Sequence, residues 1–365
     1  MTGLASRFAL IAVLALSACD DHPPAKPASA GKTVQKTATQ NSASNPPPLV
    51  PAPPASTTEA QAINTAQFNA AATDPQAQRN LLMRVETLLD RAHFSPGVID
   101  GRTGTNLTLA IKAFQSSRGL TQDGQVSQAL LDTLVGGDAG PVLVDYTITP
   151  KDVAGPFSPP VAKDDYEAMS KLPAMNYLTP QEMLAERFHM DEDLLKALNP
   201  NVDFGVAGTA IVVIAAGADT LDRKVDRIEI DKSLGQVRAF DDQGGLLAVY
   251  PATVGSTERP APTGEWAVRT LAPHPTYTFD PSRLTFGKPK TKLTIPAGPN
   301  NPVGSTWIDL TKDTYGIHGT PDPRLVNKRA SHGCVRLTNW DAAELGSAVK
   351  KGAKVVFMGT EARAS

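Results

Sequence analysis

Ser331-His332-Gly333-Cys334-Val335-Arg336-Leu337, read together with His318-Gly319 upstream, is the stretch around which this chain is organised. A cysteine becomes a nucleophile near neutral pH when a neighbouring group takes its proton, and imidazole is the commonest such group. Two histidines are on offer. His332 stands two residues before Cys334 and shares its face if the segment is extended, whereas folding must bring His318 in. Gly333 removes side-chain bulk beside the thiol, and the Gly333 and Cys334 amides are candidates to meet a developing oxyanion. Arg336, two residues beyond Cys334 on the same extended face, is suited to bind a carboxylate or to hold the site's geometry. The strand pattern around the motif, with Trp307 to Leu310 and Tyr315 to Ile317 leading into His318, predicts a sheet that delivers the histidine.

Two plainer readings compete. The tetrad could be a buried turn with an inert thiol, as structural cysteines are. A zinc site of His318, His332 and Cys334 fits no finger or ribbon spacing, so no metal is expected. Twelve residues intervene between His318 and Ser331. Taken whole, His318-Gly319 followed by Ser331-His332-Gly333-Cys334-x-Arg336 resembles the motif of the L,D-transpeptidases, the YkuD-like catalytic domain. The likeness extends over roughly 225 to 358 and includes Pro262-Thr263-Gly264-Glu265-Trp266, similar to the family's turn before a strand. The His318 to Ser331 gap is slightly shorter than in many members, which bears on the length of one loop.

The resemblance implies a mostly-β, β-sandwich-like domain over 223–359 in which Cys334 attacks an L,D-bond of a peptidoglycan stem peptide. It implies His318 as the base, oriented by the Gly319 carbonyl, with Ser331, His332, Gly333 and Arg336 shaping the pocket. No cofactor is needed for this chemistry. An amine acceptor gives cross-linking or protein attachment, water gives an L,D-carboxypeptidase, and a scaffold that has lost turnover gives a peptidoglycan-binding lipoprotein.

Outward from this domain, the rest of the chain reads as wall-directed. Residues 1–18 carry Arg7, an apolar run from Phe8 to Leu16, and then small residues, a secretory signal too short to span a bilayer. Leu16-Ser17-Ala18-Cys19 resembles a lipobox, which implies lipid on Cys19 and anchoring on the periplasmic side of a bacterial membrane. The chain has only 2 cysteines, so an acylated Cys19 leaves Cys334 without a disulfide partner, which favours use of the thiol. Much of the proline, 31 residues in all, falls early, and 19–77 reads as a disordered Pro/Ala/Ser/Thr-rich linker, whose stretch from Asp20 to about Ala60 alone reaches on the order of 100 Å if extended. A balance of 35 basic against 37 acidic residues gives no electrostatic case for nucleic acid.

Between linker and catalytic domain lie two further segments. Residues 78–136 show helical periodicity at Leu81, Val85, Leu88 and Leu89, then at Leu107, Ile111 and Phe114, then at Val126, Leu130 and Leu134, with turns at Asp100-Gly101 and Asp123-Gly124. Phe94-Ser95-Pro96-Gly97-Val98-Ile99-Asp100-Gly101 and Gly119-Leu120-Thr121-Gln122-Asp123-Gly124 resemble the three-helix peptidoglycan-binding domain. Residues 143–216 resemble a small LysM-like α/β module, departing from it in that some 28 residues separate its first strand from a helix capped by Thr179 in a capping box with Glu182. The alternative is a spacer. The expected fold class is therefore multidomain α+β, with peptidoglycan stem peptides and glycan as partners and an outer-membrane protein as a further possible acceptor.

Overall fold

A computed structural model describes residues 55–255, 260–282, 290–328 and 333–360. The expected signal segment, Cys19 and the linker up to residue 54 lie outside the described residues, as do Ser331 and His332.

The linker reading overruns its true end. Helix α1 (Thr58–Asn64) is capped by the Thr57 hydroxyl, and it buries Ala60 and Ile63. The Asn64 side chain accepts from the backbone amides of Val142 and Leu143 at 2.8 Å each, so α1 is fastened to a distant strand. One isoleucine among alanines, with no apolar repeat, carries this helix, which is why composition reads the segment as leash.

Three helices follow: α2 (Pro75–Arg91), α3 (Thr105–Ser117) and α4 (Gln128–Gly137). Val85, Leu88 and Leu89 meet Leu107, Ile111 and Phe114 and then Leu130 and Leu134 in one core, as the 3.6-residue period requires. Buried Glu86 accepts from the Asp100 and Gly101 amides, and the Gln115 side chain accepts from the Gly124 amide. Each turn is thus held by a polar side chain from the preceding helix. Ser95 N–H donates to Val249 O and Val249 N–H to His93 O, at 2.9 and 2.8 Å, docking this domain on the catalytic sheet.

The middle module is closed by antiparallel strands β1 (Leu143–Thr147) and β2 (Ala210–Ile214). Between them come α5 (Pro150–Ala154), α6 (Tyr166–Ser170), α7 (Pro180–Arg187) and α8 (Glu192–Leu198). Thr179 caps α7 through the Glu182 amide, but Glu182 returns its carboxylate to the Leu178 amide at 2.5 Å, not to Thr179. The expected capping box is displaced by one residue.

The catalytic sheet runs β5-β4-β3-β13-β7-β10-β11-β12-β6. Its strands are β3 (Val225–Asp231), β4 (Gln236–Phe240), β5 (Leu246–Pro251), β6 (Thr253–Val254), β7 (Gly264–Pro273), β10 (Thr306–Leu310), β11 (Gly316–His318), β12 (Val335–Arg336) and β13 (Val349–Met358). The sandwich-like expectation is met by one nine-stranded sheet rather than two separate ones. Strand β7 pairs with β13 through Gly264 to Ala267 and with β10 through Val268 to Pro273, so it belongs to both halves. A single apolar cluster draws on both halves and on α9 (Asn339–Ala348), capped by Thr338. Gly352 does not close α9, although a glycine so soon after a helix is a common stop. The helix ends at Ala348, β13 starts at once, and Gly352, at φ +86°, lies where the pairing with β3 slips. The long segment between β7 and β10 carries an antiparallel pair, β8 (Tyr277–Phe279) and β9 (Leu293–Ile295).

Candidate active site

Register places the chemistry. Trp307 on β10 pairs with His318 on β11, which pairs with Arg336 on the parallel strand β12. One residue along, Ile308, Ile317 and Val335 form the neighbouring row, and all three are buried in the sheet's core. Alternation then puts Trp307, His318 and Arg336 on the opposite face, with Cys334 two residues before Arg336. All four line one cleft of about 1900 Å³.

His318 is buried, and its imidazole is fixed from two sides. Its Nδ1–H donates to the Gly319 carbonyl at 2.6 Å, which assigns the free lone pair to Nε2. The Trp307 ring stacks on it with centroids 5.5 Å apart and planes 18° from parallel. Gly316 permits this stack, because a Cβ there would lie 2.5 Å from the indole. Gly319 is required for a different reason from the one its sequence position suggests. A Cβ would stand 2.1 Å from Asn339 Oδ1, and that oxygen accepts from the Ser305 amide while the Asn339 Nδ2 donates to Pro299 O and Glu186 Oε1.

The Cys334 thiol donates to the Thr314 carbonyl at 3.8 Å. Thr314 itself holds φ +71°, an uncommon conformation for a β-branched residue. Gly333 has φ +111°, with Tyr315 3.1 Å from where a Cβ would stand, so only glycine fits between Tyr315 and the nucleophile. Arg336 is half-buried, and its Nε has no hydrogen-bond partner among the described residues.

Electrostatics here reverse the simplest expectation for an activated cysteine. Burial lowers the His318 pKa to about 3, helped by the Arg336 charge and opposed by the bond to Gly319. Burial pushes the Cys334 thiol up, although the Gly316 amide and Arg336 pull the other way. The resting pair is therefore neutral thiol and neutral imidazole, not thiolate and imidazolium.

Of the residues singled out in the sequence, Cys334, His318, Gly319, Gly333 and Arg336 come together at this cleft. Ser331 and His332 lie outside the described residues. Sequence reasoning missed Trp307, Asn339, Tyr277 and Tyr166. Trp307 was legible only as a strand residue, and Tyr166 lies far off in the chain with no motif around it. Among the described residues no group of histidine, cysteine and carboxylates is arranged to hold a metal ion.

Residues 225–357 match the family model of the YkuD "L,D-transpeptidase catalytic domain", and residues 78–134 match that of the "Putative peptidoglycan binding domain". The "Putative L,D-transpeptidase YkuD" of Bacillus licheniformis is 28% identical over 174 residues, covering 48% of this chain and 90% of that protein. The "Probable L,D-transpeptidase YbiS" of Escherichia coli K12 is 26% identical over 193 residues, covering 51% of this chain and 62% of that protein. Among solved structures, L,D-transpeptidase 3 from Mycobacterium tuberculosis with a faropenem-derived adduct aligns at 16% identity and a TM-score of 0.32, covering 42% of this chain and 75% of that one.

Proposed function

We propose a course of reaction for a chain that carries an L,D-transpeptidase catalytic domain over residues 225–357 and a peptidoglycan-binding domain over 78–134. It is an L,D-transpeptidase with peptidoglycan as its substrate, and Cys334 is its nucleophile. The observation that carries the residue assignment is the shared cleft of His318, Cys334 and Arg336, with His318 Nδ1 tied back to Gly319 so that Nε2 is the basic nitrogen.

The Cys334 sulfur attacks the carbonyl carbon at the L-centre of the donor's L,D-bond. Its proton passes to His318 Nε2. A thiol held high and an imidazole held low cannot exchange that proton at rest, so transfer accompanies C–S bond formation, when the developing oxyanion offsets the new positive charge. Collapse breaks the C–N bond, and the departing amine of the D-residue takes the proton back from Nε2, leaving a thioester on Cys334. An acceptor amine then attacks the thioester carbonyl, gives its proton to Nε2, and the sulfur leaves and recovers it. The buried, Arg336-facing imidazole never keeps the proton for long.

A cleft of about 1900 Å³ exceeds what a small ligand needs, roughly 300–1,000 Å³, and has room for two peptide arms. The acceptor we favour is the amine of a second stem peptide. An amine of an outer-membrane protein would follow the same steps, and water would make the enzyme a carboxypeptidase. Lipid on Cys19 and a periplasmic location rest on the lipobox resemblance, and glycan binding by the LysM-like module on its strand-helix-helix-strand order around an insertion.

Mass spectrometry of tetrapeptide stem peptides incubated with the purified protein tests the reading. Loss of the terminal residue with a cross-linked product is expected, and a trimmed peptide alone would assign water as the acceptor. Turnover by Cys334→Ala near the wild-type rate would sink the nucleophile assignment.

A further inference from the structure

Beyond α5, which Asp152 ties to Tyr146 and Arg187 of the middle module, the insertion that sets this module apart packs elsewhere. Residues 148–178 leave β1 and return at α7, and between them α6 buries Tyr166 and Met169 against Phe279 of β8 and Ile295 of β9, with Met175 completing a separate apolar cluster. The segment is pinned at several points. Met175 N–H donates to Ala297 O, and Asn300 N–H donates to Met175 O, both at 2.9 Å. Gly298, at φ +147°, would place a Cβ 2.1 Å from Met175 O, so the two chains touch backbone to backbone. On the other side Lys163 pairs with Asp322, which follows His318 by four residues. The insertion thus spans the catalytic cleft from the β8–β9 hairpin to the loop beyond the base.

What it carries there is a phenol. Tyr166 stacks on Phe279 with centroids 4.7 Å apart, lies 6.1 Å from the Tyr277 ring, and lines the same cleft as Cys334 and Arg336. Burial raises the Tyr166 phenol, the Asp164 carboxylate adds to that push, and the Arg336 charge opposes it. Asp322, the carboxylate that acts on Arg336, is already engaged by Lys163. A guanidinium and a phenol that face one cleft, with no carboxylate bonded to either among the described residues, suit an incoming carboxylate. In an L,D-donor the scissile carbonyl carbon and the carboxylate carbon of the leaving D-residue are three bonds, about 4 Å, apart. Arg336 stands two residues beyond Cys334 and lines the same cleft, so attack on the first carbon brings the second within that side chain's reach.

We propose that the inserted segment roofs the donor site and that Tyr166, acting with Arg336, is a specificity-determining residue for the free carboxylate of the leaving D-residue. This rests on the transpeptidase reading above. The roof belongs to the module between the wall-binding and catalytic domains, which gives that module a role in substrate choice whether or not it binds glycan.

The test uses the whole purified chain and two donors, a tetrapeptide free acid and the same peptide with a C-terminal amide. Single-turnover acylation of Cys334 and steady-state release of the terminal residue are measured for wild type, Tyr166→Phe and Tyr166→Ala. Wild type should favour the acid by roughly tenfold or more in kcat/KM, the range for a hydrogen bond to a charged group. Tyr166→Phe, which keeps the ring and its stack on Phe279, should lose several-fold of that preference through KM on the acid, with a smaller effect on the amide. Equal use of acid and amide by wild type would overturn the proposal, as would an unchanged preference in Tyr166→Phe. If neither donor acylates Cys334, the transpeptidase reading itself fails.

Discussion

His318 Nδ1 lies 2.6 Å from the carbonyl oxygen of Gly319, the very next residue, and this short bond decides how the imidazole meets the thiol. It fixes the tautomer, while burial and Arg336 bring the pKa down to about 3. The first prediction concerns pH. His318 is neutral at any pH above about 4, so the free enzyme's kcat/KM should show no acid limb near 6.5, the ordinary histidine value. Because the thiol is pushed up, alkylation of Cys334 by iodoacetamide should keep rising above pH 8.5 with no plateau between 6 and 7. A plateau there would mean a resting thiolate–imidazolium pair. Replacing His318 with Ala should cut acylation by roughly 10²–10⁴-fold.

A second prediction follows from Asn339. Gly319→Ala drives a methyl group to 2.1 Å from Asn339 Oδ1, and that side chain bonds Ser305, Pro299 and Glu186 at once. Overpacking of this kind costs about 1–3 kcal/mol, and here it also turns the carbonyl that orients His318. Urea unfolding should show the loss. The double variant Gly319→Ala with Asn339→Ala should be less than additive, because one change makes room for the other.

The sequence disclosed the row Trp307–His318–Arg336 only in part. Alternation made strands of these segments, and the motif named Cys334, His318 and Arg336, because local spacing encodes which residues share a face. Spacing does not encode which strands become neighbours. The parallel pairing of β11 with β12, which lays Arg336 beside His318, is a tertiary fact. Tyr166 was invisible for the same reason, since only folding carries residue 166 across to residue 336. The charge states of thiol and imidazole are not legible in a motif, which shows charged neighbours but not burial, and here burial outweighs them.

The third prediction is a dependence of stability on pH. Asp341 on α9 is buried, and its pKa is raised to about 8, first by burial and then by the nearby carboxylates of Asp90 and Glu344. A carboxyl raised above its unfolded value, about 3.9, contributes stability that is full below that value and is lost as pH climbs through the folded one. Its contribution should therefore fade between pH 4 and pH 8. Asp341→Asn, which keeps the shape without the titration, should gain on wild type in melting temperature as pH rises from 5 to 8. A constant difference across that range would place the proton elsewhere.

The last prediction tests where the folded chain begins. The composition of 19–77 argues for a leash, yet Ile63 is fully buried beside Ala60, and Asn64 satisfies two backbone amides of Val142 and Leu143. Ala55 N–H also donates to Leu143 O at 3.1 Å, so the chain is tied down from its first described residue. Removing everything before residue 55 should therefore leave the melting temperature unchanged. Starting the chain at residue 78 should lower it markedly, because the deletion opens an apolar hole at Ile63 and leaves the Val142 and Leu143 amides without Asn64. The single substitution Ile63→Ala isolates the packing part of this loss and should cost about 2–5 kcal/mol. Asn64→Ala isolates the polar part, about 1–3 kcal/mol for buried amides deprived of an acceptor. Equal stability of the two truncated chains would show that α1 rests on the domain without supporting it, and would restore the linker boundary at residue 77.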